Sequence, residues 1–190
     1  MRRAVMLALL LSACGGPTVT VLPDADLPQD VYGSPEPESL TELPDNATVY
    51  LLHQGRLIAV PRQLPPEAPS LPVAAVDALL QGRSGIWRTA IPEGTGVLSV
   101  EVEGVVATVN LSDDFERSAP GGRLALRVAQ VVYTLTETPQ VGAVLFEIEG
   151  GPTAVPIGRE EVVERPVTRA DYQRFAPVDP GEGDAAVESS

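Results

Sequence analysis

The sequence contains no lysine, one histidine and one cysteine, and these shortages exclude several kinds of chemistry. All 13 basic residues are arginines. Without lysine, the chain lacks the nucleophile of Schiff-base enzymes and the phosphate-binding residue of a Walker A loop. A single cysteine forms no internal disulfide, and one histidine with one cysteine does not make a usual zinc site. We therefore expect no metal and no cofactor.

Basic residues are also few in number relative to acidic ones. The chain has 26 acidic residues and a formal net charge of −13. Nucleic-acid binding needs cations that neutralise phosphates, and adsorption to anionic lipid needs them too. The composition therefore argues against a nucleic-acid partner and against electrostatic adhesion to a membrane.

The first 13 residues predict a secretory signal peptide. Arg2 and Arg3 form a basic start, residues 4–11 are an unbroken apolar run, and two small residues follow. This is the order of a signal peptide. The apolar run is far shorter than the ~20 residues that a membrane-spanning helix requires.

The only cysteine, Cys14, follows this segment directly. The sequence "LSAC" at residues 11–14 resembles the bacterial lipobox, in which the cysteine thiol receives a diacylglycerol and the chain is cut just before it. We expect a lipid on Cys14 and an extracytoplasmic protein anchored to the cell membrane. The alternative is a cleaved signal with an incidental or buried structural cysteine.

Composition divides the rest of the chain into three parts. Residues 15–46 hold six prolines, seven acidic residues and no basic residue. We interpret 14–46 as the lipidated cysteine and an extended, self-repelling linker. The acidic end at 176–190 has no aromatic residue and is interpreted as a disordered tail. The segment 47–175 is the expected folded domain.

Three hairpins are predicted within this domain. The first, at 48–60, turns at Gln54-Gly55. In the second, at 97–112, apolar and polar residues alternate before and after Gly104, which predicts one buried and one exposed face. The inward residues would be Leu98, Val100, Val102, Val105, Ala107, Val109 and Leu111. The third, at 141–157, turns about Gly150-Gly151.

Two helices separate the hairpins. Residues 69–82 are predicted helical, with Pro72 in the first turn, Gly82 at the end and an apolar face of Val73, Val76, Leu79 and Leu80. Residues 121–139 form the second predicted helix, stopped by Pro139. Its inner stripe would be Leu124, Val128, Val131 and Leu135, and its outer polar stripe Arg123, Arg127, Gln130 and Thr134.

The predicted order is thus ββ-α-ββ-α-ββ, an α+β fold. We expect a mainly antiparallel or mixed sheet with two helices packed on one face.

Four blocks of the predicted domain follow one another as "VYLLHQGRLIAVPRQLP", "AVDALLQG", "RTAIPEGTGVLSVEVEGVVATVNLSDDF" and "LALRVAQVVYTLTETPQVGAVLFEIEGGPTAVP". In this order they resemble successive parts of the GerMN domain of sporulation and spore germination proteins. The later "RPVTRADY" resembles the C-terminal end of actinobacterial members. The resemblance implies an α+β fold, a place in the bacterial envelope, often as a lipoprotein, and no catalytic residue set.

Four residues are candidates for partner binding. Trp87 and Arg88 lie between a helix and a strand, and such residues are common at interface hot spots. Trp87 has core packing as its alternative. Arg123 and Arg127 lie one helical turn apart and suit a carboxylate-binding strip, with a plain solvated helix face as the alternative.

The favoured function is a non-catalytic, membrane-tethered module that binds a protein partner or an envelope component. A cell-wall-acting hydrolase or transferase is the first alternative, because paired carboxylates suffice for hydrolysis. Its candidates are Glu93, Glu101, Asp113 and Asp114. His53 is interpreted as a strand-end residue rather than a catalytic one. A small-ligand carrier is the second alternative.

Replacing Cys14 with serine tests the anchor. Without the thiol no thioether to a lipid forms, so the Cys14→Ser protein should appear in the soluble fraction or remain as an uncut precursor. Membrane fractionation and mass determination of the processed chain measure this. Normal processing and membrane retention of Cys14→Ser would contradict the lipid anchor.

Overall fold

The computed structural model describes residues 43–82, 85–117, 121–158 and 161–178. The predicted signal peptide, Cys14, the linker up to residue 42 and the tail from residue 179 lie outside the described residues.

The domain begins with a regular hairpin. Strand β1 (Asn46–His53) pairs with β2 (Arg56–Gln63) in antiparallel register along its whole length. Gln54 and Gly55 both have positive φ, 50° and 81°. Two such residues form the tight turn that matches the twist of a hairpin. The predicted turn at Gln54-Gly55 is confirmed.

Helix α1 (Leu71–Leu80) follows. The Ser70 side chain accepts a hydrogen bond from the Val73 N–H at 3.5 Å, and Pro72 lies in the first turn as predicted. These features fix the helix start because they satisfy or remove free N–H groups.

The buried face of α1 differs in part from the prediction. Val76 and Leu79 are fully buried, but Val73 and Leu80 are only partly so. Their places in the core are taken by small residues, Ala74, Ala75 and Ala78. Short side chains let the helix backbone come close to β1 and to the second helix, which α1 contacts.

The other strands form a mixed four-stranded sheet and a small two-stranded one. The larger sheet has the order β3-β4-β5-β6, with β4 and β5 parallel and the other neighbours antiparallel. Its elements are β3 (Val97–Glu103), β4 (Val106–Leu111), β5 (Ala143–Ile148) and β6 (Gly151–Pro152), with helix α2 (Gly121–Leu135) connecting β4 to β5. The smaller sheet pairs β7 (Val155–Pro156) with β8 (Val162–Val163). Among the described residues, 3₁₀ helices lie at Asp113–Phe115 and Arg169–Phe175.

The α+β class with mixed sheets is therefore confirmed, and the element order roughly follows the prediction. The third hairpin is shorter than predicted. Its turn consists of Glu149 and Gly150, with φ of 51° and 77°, rather than Gly150-Gly151. Strand β6 has only two residues because Pro152 offers no N–H to continue the ladder. The chain then leaves this sheet, and β7 pairs with β8.

The prediction that β3 has a buried apolar face is wrong. Leu98 is 51% exposed and Val102 is 40% exposed. On β4 the same face is fully buried, through Ala107, Val109 and Leu111. Strand β3 is the edge of the sheet, and the helical layer does not cover all of it. Val105, also predicted to face inward, lies in the turn beside Gly104 and is exposed.

Helix α2 ends at Leu135, one turn before the predicted stop at Pro139. The Thr136 hydroxyl donates to the Val132 carbonyl at 2.6 Å, and the Thr138 hydroxyl donates to the Leu135 carbonyl at 2.6 Å. These bonds satisfy carbonyls of the last turn and close the helix without proline.

The predicted outer polar stripe of α2 faces inward. Arg127 is 3% exposed, and Gln130 and Thr134 are fully buried; Arg123 alone is exposed. The prediction was wrong for the three buried residues because their side chains satisfy backbone groups elsewhere in the chain.

Gln130 and Thr134 bind the free edge of β1. Gln130 Nε2 donates to the Tyr50 carbonyl at 2.8 Å, and the Tyr50 N–H donates to Thr134 Oγ1 at 3.1 Å. Gln130 Oε1 accepts from the Ala90 N–H at 2.7 Å. Two side chains of α2 thus take the place of a neighbouring strand at Tyr50. Further along the same edge, Leu52 exchanges two backbone hydrogen bonds with Arg88.

A second polar cluster attaches the C-terminal segment to α2. The Arg169 guanidinium donates to Thr136 Oγ1 at 2.7 Å and to the Glu137 carboxylate, and it lies against the rings of Tyr50 and Tyr133. Glu137 also accepts a hydrogen bond from the Tyr50 hydroxyl at 2.9 Å. This cluster joins the helix end, β1 and the last 3₁₀ helix.

Replacing Gln130 with leucine should destabilise the domain by at least about 2 kcal/mol, because the buried Tyr50 carbonyl and the Ala90 N–H would lose their partner. Urea unfolding followed by circular dichroism measures the change. The matched control is Gln173→Leu, at an exposed position, expected to change stability by less than about 0.5 kcal/mol. Equal unfolding midpoints for Gln130→Leu and wild type would contradict this role.

The Glu137 cluster predicts a specific pH dependence of stability. Burial raises the pKa of Glu137, but hydrogen bonds from Arg169 and Tyr50 outweigh it and leave that pKa below 4.5, its ordinary value. A lowered carboxyl pKa stabilises the fold at neutral pH, and this contribution is lost as the pH falls below 4.5. Burial and the adjacent Glu137 raise the pKa of Tyr50 to about 12, so its contribution is lost as the pH rises above 10.

Glu137→Gln should therefore be less stable than wild type at pH 7, by up to about 1 kcal/mol because the pair is partly exposed. The difference should shrink towards pH 3. Urea unfolding across this range measures it, with Glu67→Gln at an exposed loop position as the control. A difference that stays constant with pH would show that the carboxylate charge does not matter.

Candidate functional site

The end of the first hairpin brings Trp87 and His53 together. Their ring centroids are 5.5 Å apart, with the rings edge to face. Trp87 is partly buried and packs on the core, so it combines core packing with a partly accessible face. His53 lies at the end of β1, as predicted. This ring contact supports the hairpin end.

Arg88 is exposed, but its guanidinium binds backbone close by. Nη1 donates to the Gly85 carbonyl at 2.6 Å and to the Trp87 carbonyl at 2.9 Å. The side chain therefore stabilises the 85–88 turn. It is not among the residues that line the nearby cleft described next.

A cleft of about 550 Å³ lies between the first half of α2 and residues 89–92. We call it the arginine cleft. One part of its wall is cationic, formed by three arginines, and the rest is mainly apolar. The lining residues are Leu52, Thr89, Ala90, Ile91, Pro92, Arg117, Arg123, Leu126 and Arg127. Arg123 and Arg127, which were predicted to form a carboxylate-binding strip, both line this cleft. Arg117 lines it as well.

Arg127 is held rigidly in the floor of this cleft. Its Nε donates to the Ala90 carbonyl at 2.9 Å, and Nη1 donates to the Phe115 and Arg117 carbonyls at 2.5 and 3.0 Å. Its other terminal nitrogen, Nη2, has no hydrogen-bond partner among the residues that the structure describes. Burial, and secondarily the charge of Arg123, lowers the pKa of Arg127 from its ordinary value.

The other two arginines lie at the rim. Arg123 is exposed, and the described part of the chain offers it no polar partner. Arg117 forms an ion pair with Asp114, three residues earlier, although its side chain is mostly exposed. The cleft therefore groups three guanidinium groups in a strongly acidic protein.

A second concave surface runs beside the edge strand β3. This groove, of about 430 Å³, is lined by Val100 and Val102, by the first turn of α1 and by the segment after α2. We call it the β3 groove. Its remaining lining residues are Ser70, Leu71, Pro72, Thr138, Pro139 and Gln140. The groove is mostly apolar and ends at the exposed edge of the sheet.

Of three carboxylates considered for hydrolysis, one is in an ion pair and two are exposed. Asp114 pairs with Arg117, and its Oδ2 would lie 3.2 Å from a Cβ placed on Gly94. Asp113 is exposed, and its N–H donates to the Glu149 carboxylate at 3.2 Å. Glu101 is exposed on β3. Within the described ranges, no group of three or more His, Cys, Asp or Glu residues is placed to hold a metal ion.

The same ranges contain no helix that is both long and apolar enough to span a bilayer.

The sequence analysis did not predict that three residues help to form this part of the structure: Gln130, Thr134 and Arg117. One signal was available: residues 128–135, "VAQVVYTL", contain no charged residue. A helix that is apolar around its whole circumference is a buried one, so the two polar residues within this stretch had to face the interior.

Comparison with known structures places this fold among GerMN domains. The first GerMN domain of the sporulation protein GerM from Bacillus subtilis superposes with a TM-score of 0.55 at 21% identity, covering 66% of this chain and 98% of that one. The tandem GerMN domains of the same protein give 0.54 at 20% identity, covering 66% of this chain and 46% of that one. A putative lipoprotein from Clostridium perfringens gives a TM-score of 0.48 at 16% identity, covering 66% and 88%.

A search among curated proteins finds no significant match. The profile of the Germane family, described as "Sporulation and spore germination", matches residues 48–154, more than half of the sequence. The chain therefore belongs to the Germane family.

Proposed function

We propose that this protein is a non-catalytic interaction module of the bacterial envelope, tethered to the membrane through Cys14, and that the β3 groove docks a protein partner. The family relates the domain to sporulation and spore germination proteins, and we propose that setting for the partner as well. The uncovered apolar face of β3 carries the proposal.

The apolar face of β3 is partly exposed, although the same face of the neighbouring strand β4 is buried. Val100 pairs with Val109, and Val102 pairs with Ala107, so the four side chains point to the same side of the sheet. The β4 members are fully buried, while Val102 remains exposed. Contiguous apolar surface of this kind on a soluble domain is typical of an interaction site.

The backbone of β3 adds a second means of recognition. Within the described residues, β3 pairs only with β4, so its other edge is open. An extended segment can add to such an edge and place alternate side chains in a neighbouring groove. Strand addition supplies affinity through the main chain, and the apolar groove selects side chains.

The charges on β3 indicate the partner's chemistry. Glu101 and Glu103 are exposed and alternate with the apolar residues along the strand. A second copy of this acidic chain would place like charges opposite each other, which is unfavourable. We therefore favour an extended protein segment with apolar residues on one side and basic residues on the other.

A tether makes a weak contact of this kind sufficient. Confinement to the membrane surface raises the effective concentration of the domain for a partner held in the same membrane. The proline-rich, acidic composition of residues 15–46 favours an extended linker, which would let the domain search the space close to the membrane.

Site-specific photocrosslinking in intact cells tests the docking surface. A photoreactive residue at Gln140, which is exposed and lines the groove, should give one adduct of defined mass with another protein, while the same residue at Val162, exposed but on the small sheet, should not. Val102→Glu should abolish the adduct by placing a charge in the apolar face, with an unchanged thermal midpoint because Val102 is 40% exposed. The control is Val162→Glu.

Two results would overturn the proposal. One is an adduct only within the chain itself, which would show that another segment of this chain covers the groove. The other is an adduct from Gln140 that persists in Val102→Glu, which would show that the contact does not use this face.

A further inference from the structure

The arginine cleft brings several cationic side chains together in a protein with a strongly negative net charge. Arginine is the only cationic residue type available, and the formal net charge is −13. Three of the 13 arginines nevertheless line one cleft, and Arg117 is paired there with Asp114. Like charges placed together are unfavourable unless an anion balances them.

The fixed side chain of Arg127 is a second, independent argument for an anion-binding site. The residue is only 3% exposed, and its position is fixed by three hydrogen bonds to backbone carbonyls. These bonds occupy Nε and Nη1, and Nη2 has no partner among the described residues, at a cleft that the residue itself lines. A guanidinium held in place in this way suits an anion because little side-chain entropy is lost on binding.

Most of the rest of the wall is apolar, which restricts the class of ligand that fits the cleft. Leu52, Ile91 and Leu126 line it together with the arginines. A bare phosphate or sulfate ion would leave these residues in contact with water. A ligand that combines an anionic head with an apolar body would cover both parts of the wall.

We propose that the arginine cleft binds a carboxylate attached to an apolar group, the chemistry of a peptide's C-terminal residue with an aliphatic side chain. Arg127 Nη2 and the Arg123 guanidinium donate to the two carboxylate oxygens. Arg117 either leaves Asp114 and turns towards the ligand carboxylate, or remains paired with Asp114 and attracts the carboxylate only through the electrostatic potential of the cleft. The aliphatic side chain lies against Leu126 and Ile91. Planar guanidinium and carboxylate groups form paired hydrogen bonds of this type.

This site is distinct from the β3 groove, since the two share no lining residue. The two proposals can therefore fail separately: loss of one surface leaves the other intact.

Isothermal titration calorimetry on the full chain, purified in detergent at low salt, tests the cleft. The probe is N-acetyl-Ala-Leu with a free carboxylate, and the comparison probes are its C-terminal amide, acetate and inorganic phosphate. We expect saturable binding of the free acid and at least about tenfold weaker binding of the other three, since the amide lacks the charge and the small ions lack the apolar group.

Arg123→Gln is the main variant, because its exposed side chain has no described structural partner. It should weaken binding of the free acid about tenfold, the value of one charge-assisted hydrogen bond, and leave the thermal midpoint unchanged. The control is Arg56→Gln, which removes the same charge at the exposed end of the first hairpin and should leave binding unchanged. Val102→Glu, in the β3 groove, should also leave it unchanged.

Arg127→Lys keeps the charge and removes the planar fork, so it should weaken binding even if the protein remains folded. The proposal is wrong if the amide or phosphate binds as tightly as the free acid. It is also wrong if Arg123→Gln binds like wild type, or if Arg56→Gln loses as much affinity as Arg123→Gln.

Discussion

The buried carboxamide of Gln130 joins parts of the chain that no sheet connects. It donates to β1 at Tyr50 and accepts from the backbone at Ala90, so the hairpin, α2 and residues 89–92 are fixed relative to one another. This constraint turns the polar stripe of α2 towards the interior. Arg127, three residues earlier on the same stripe, is then buried beneath residues 89–92, and the arginine cleft follows from that placement.

The two candidate binding surfaces have opposite character. The arginine cleft is cationic and rests on a rigid, hydrogen-bonded frame. The β3 groove is apolar, bordered by Glu101 and Glu103, and lies at an open sheet edge. The arginine cleft favours a carboxylate attached to an apolar group. The β3 groove favours an extended segment with apolar and basic residues. A single domain thus presents two recognition chemistries without needing a nucleophile or a metal.

Turns and helix starts could be predicted from the sequence, because they depend on residues close together in the chain. The Gln54-Gly55 turn and the Ser70-to-Pro72 helix start are set by backbone conformation and by free N–H groups near in sequence. The inward face of Gln130 was not predictable by the same rules, because its partner Tyr50 is 80 residues away. Alternation placed Leu98, Val100 and Val102 on one buried face. A register shift between Val97 and Ser99 interrupts the pairing at Leu98, and the extent of the helical cover over β3 depends on tertiary packing, so the burial of this face was not predictable. Arg123 and Arg127 were paired correctly by helix spacing, whereas Arg117 joined them only through the fold.

The parallel pairing of β4 with β5 has a consequence for how the chain acquires its structure. Val106 pairs with Ala143, so this contact forms only after α2 has crossed between the strands, and such non-local pairings form slowly because the connecting loop must first be closed. Until then the β3–β4 hairpin has two open edges. Glu101 and Glu103 would repel a second copy at this stage. The acidic residues on β3 therefore disfavour self-association of the domain while it folds.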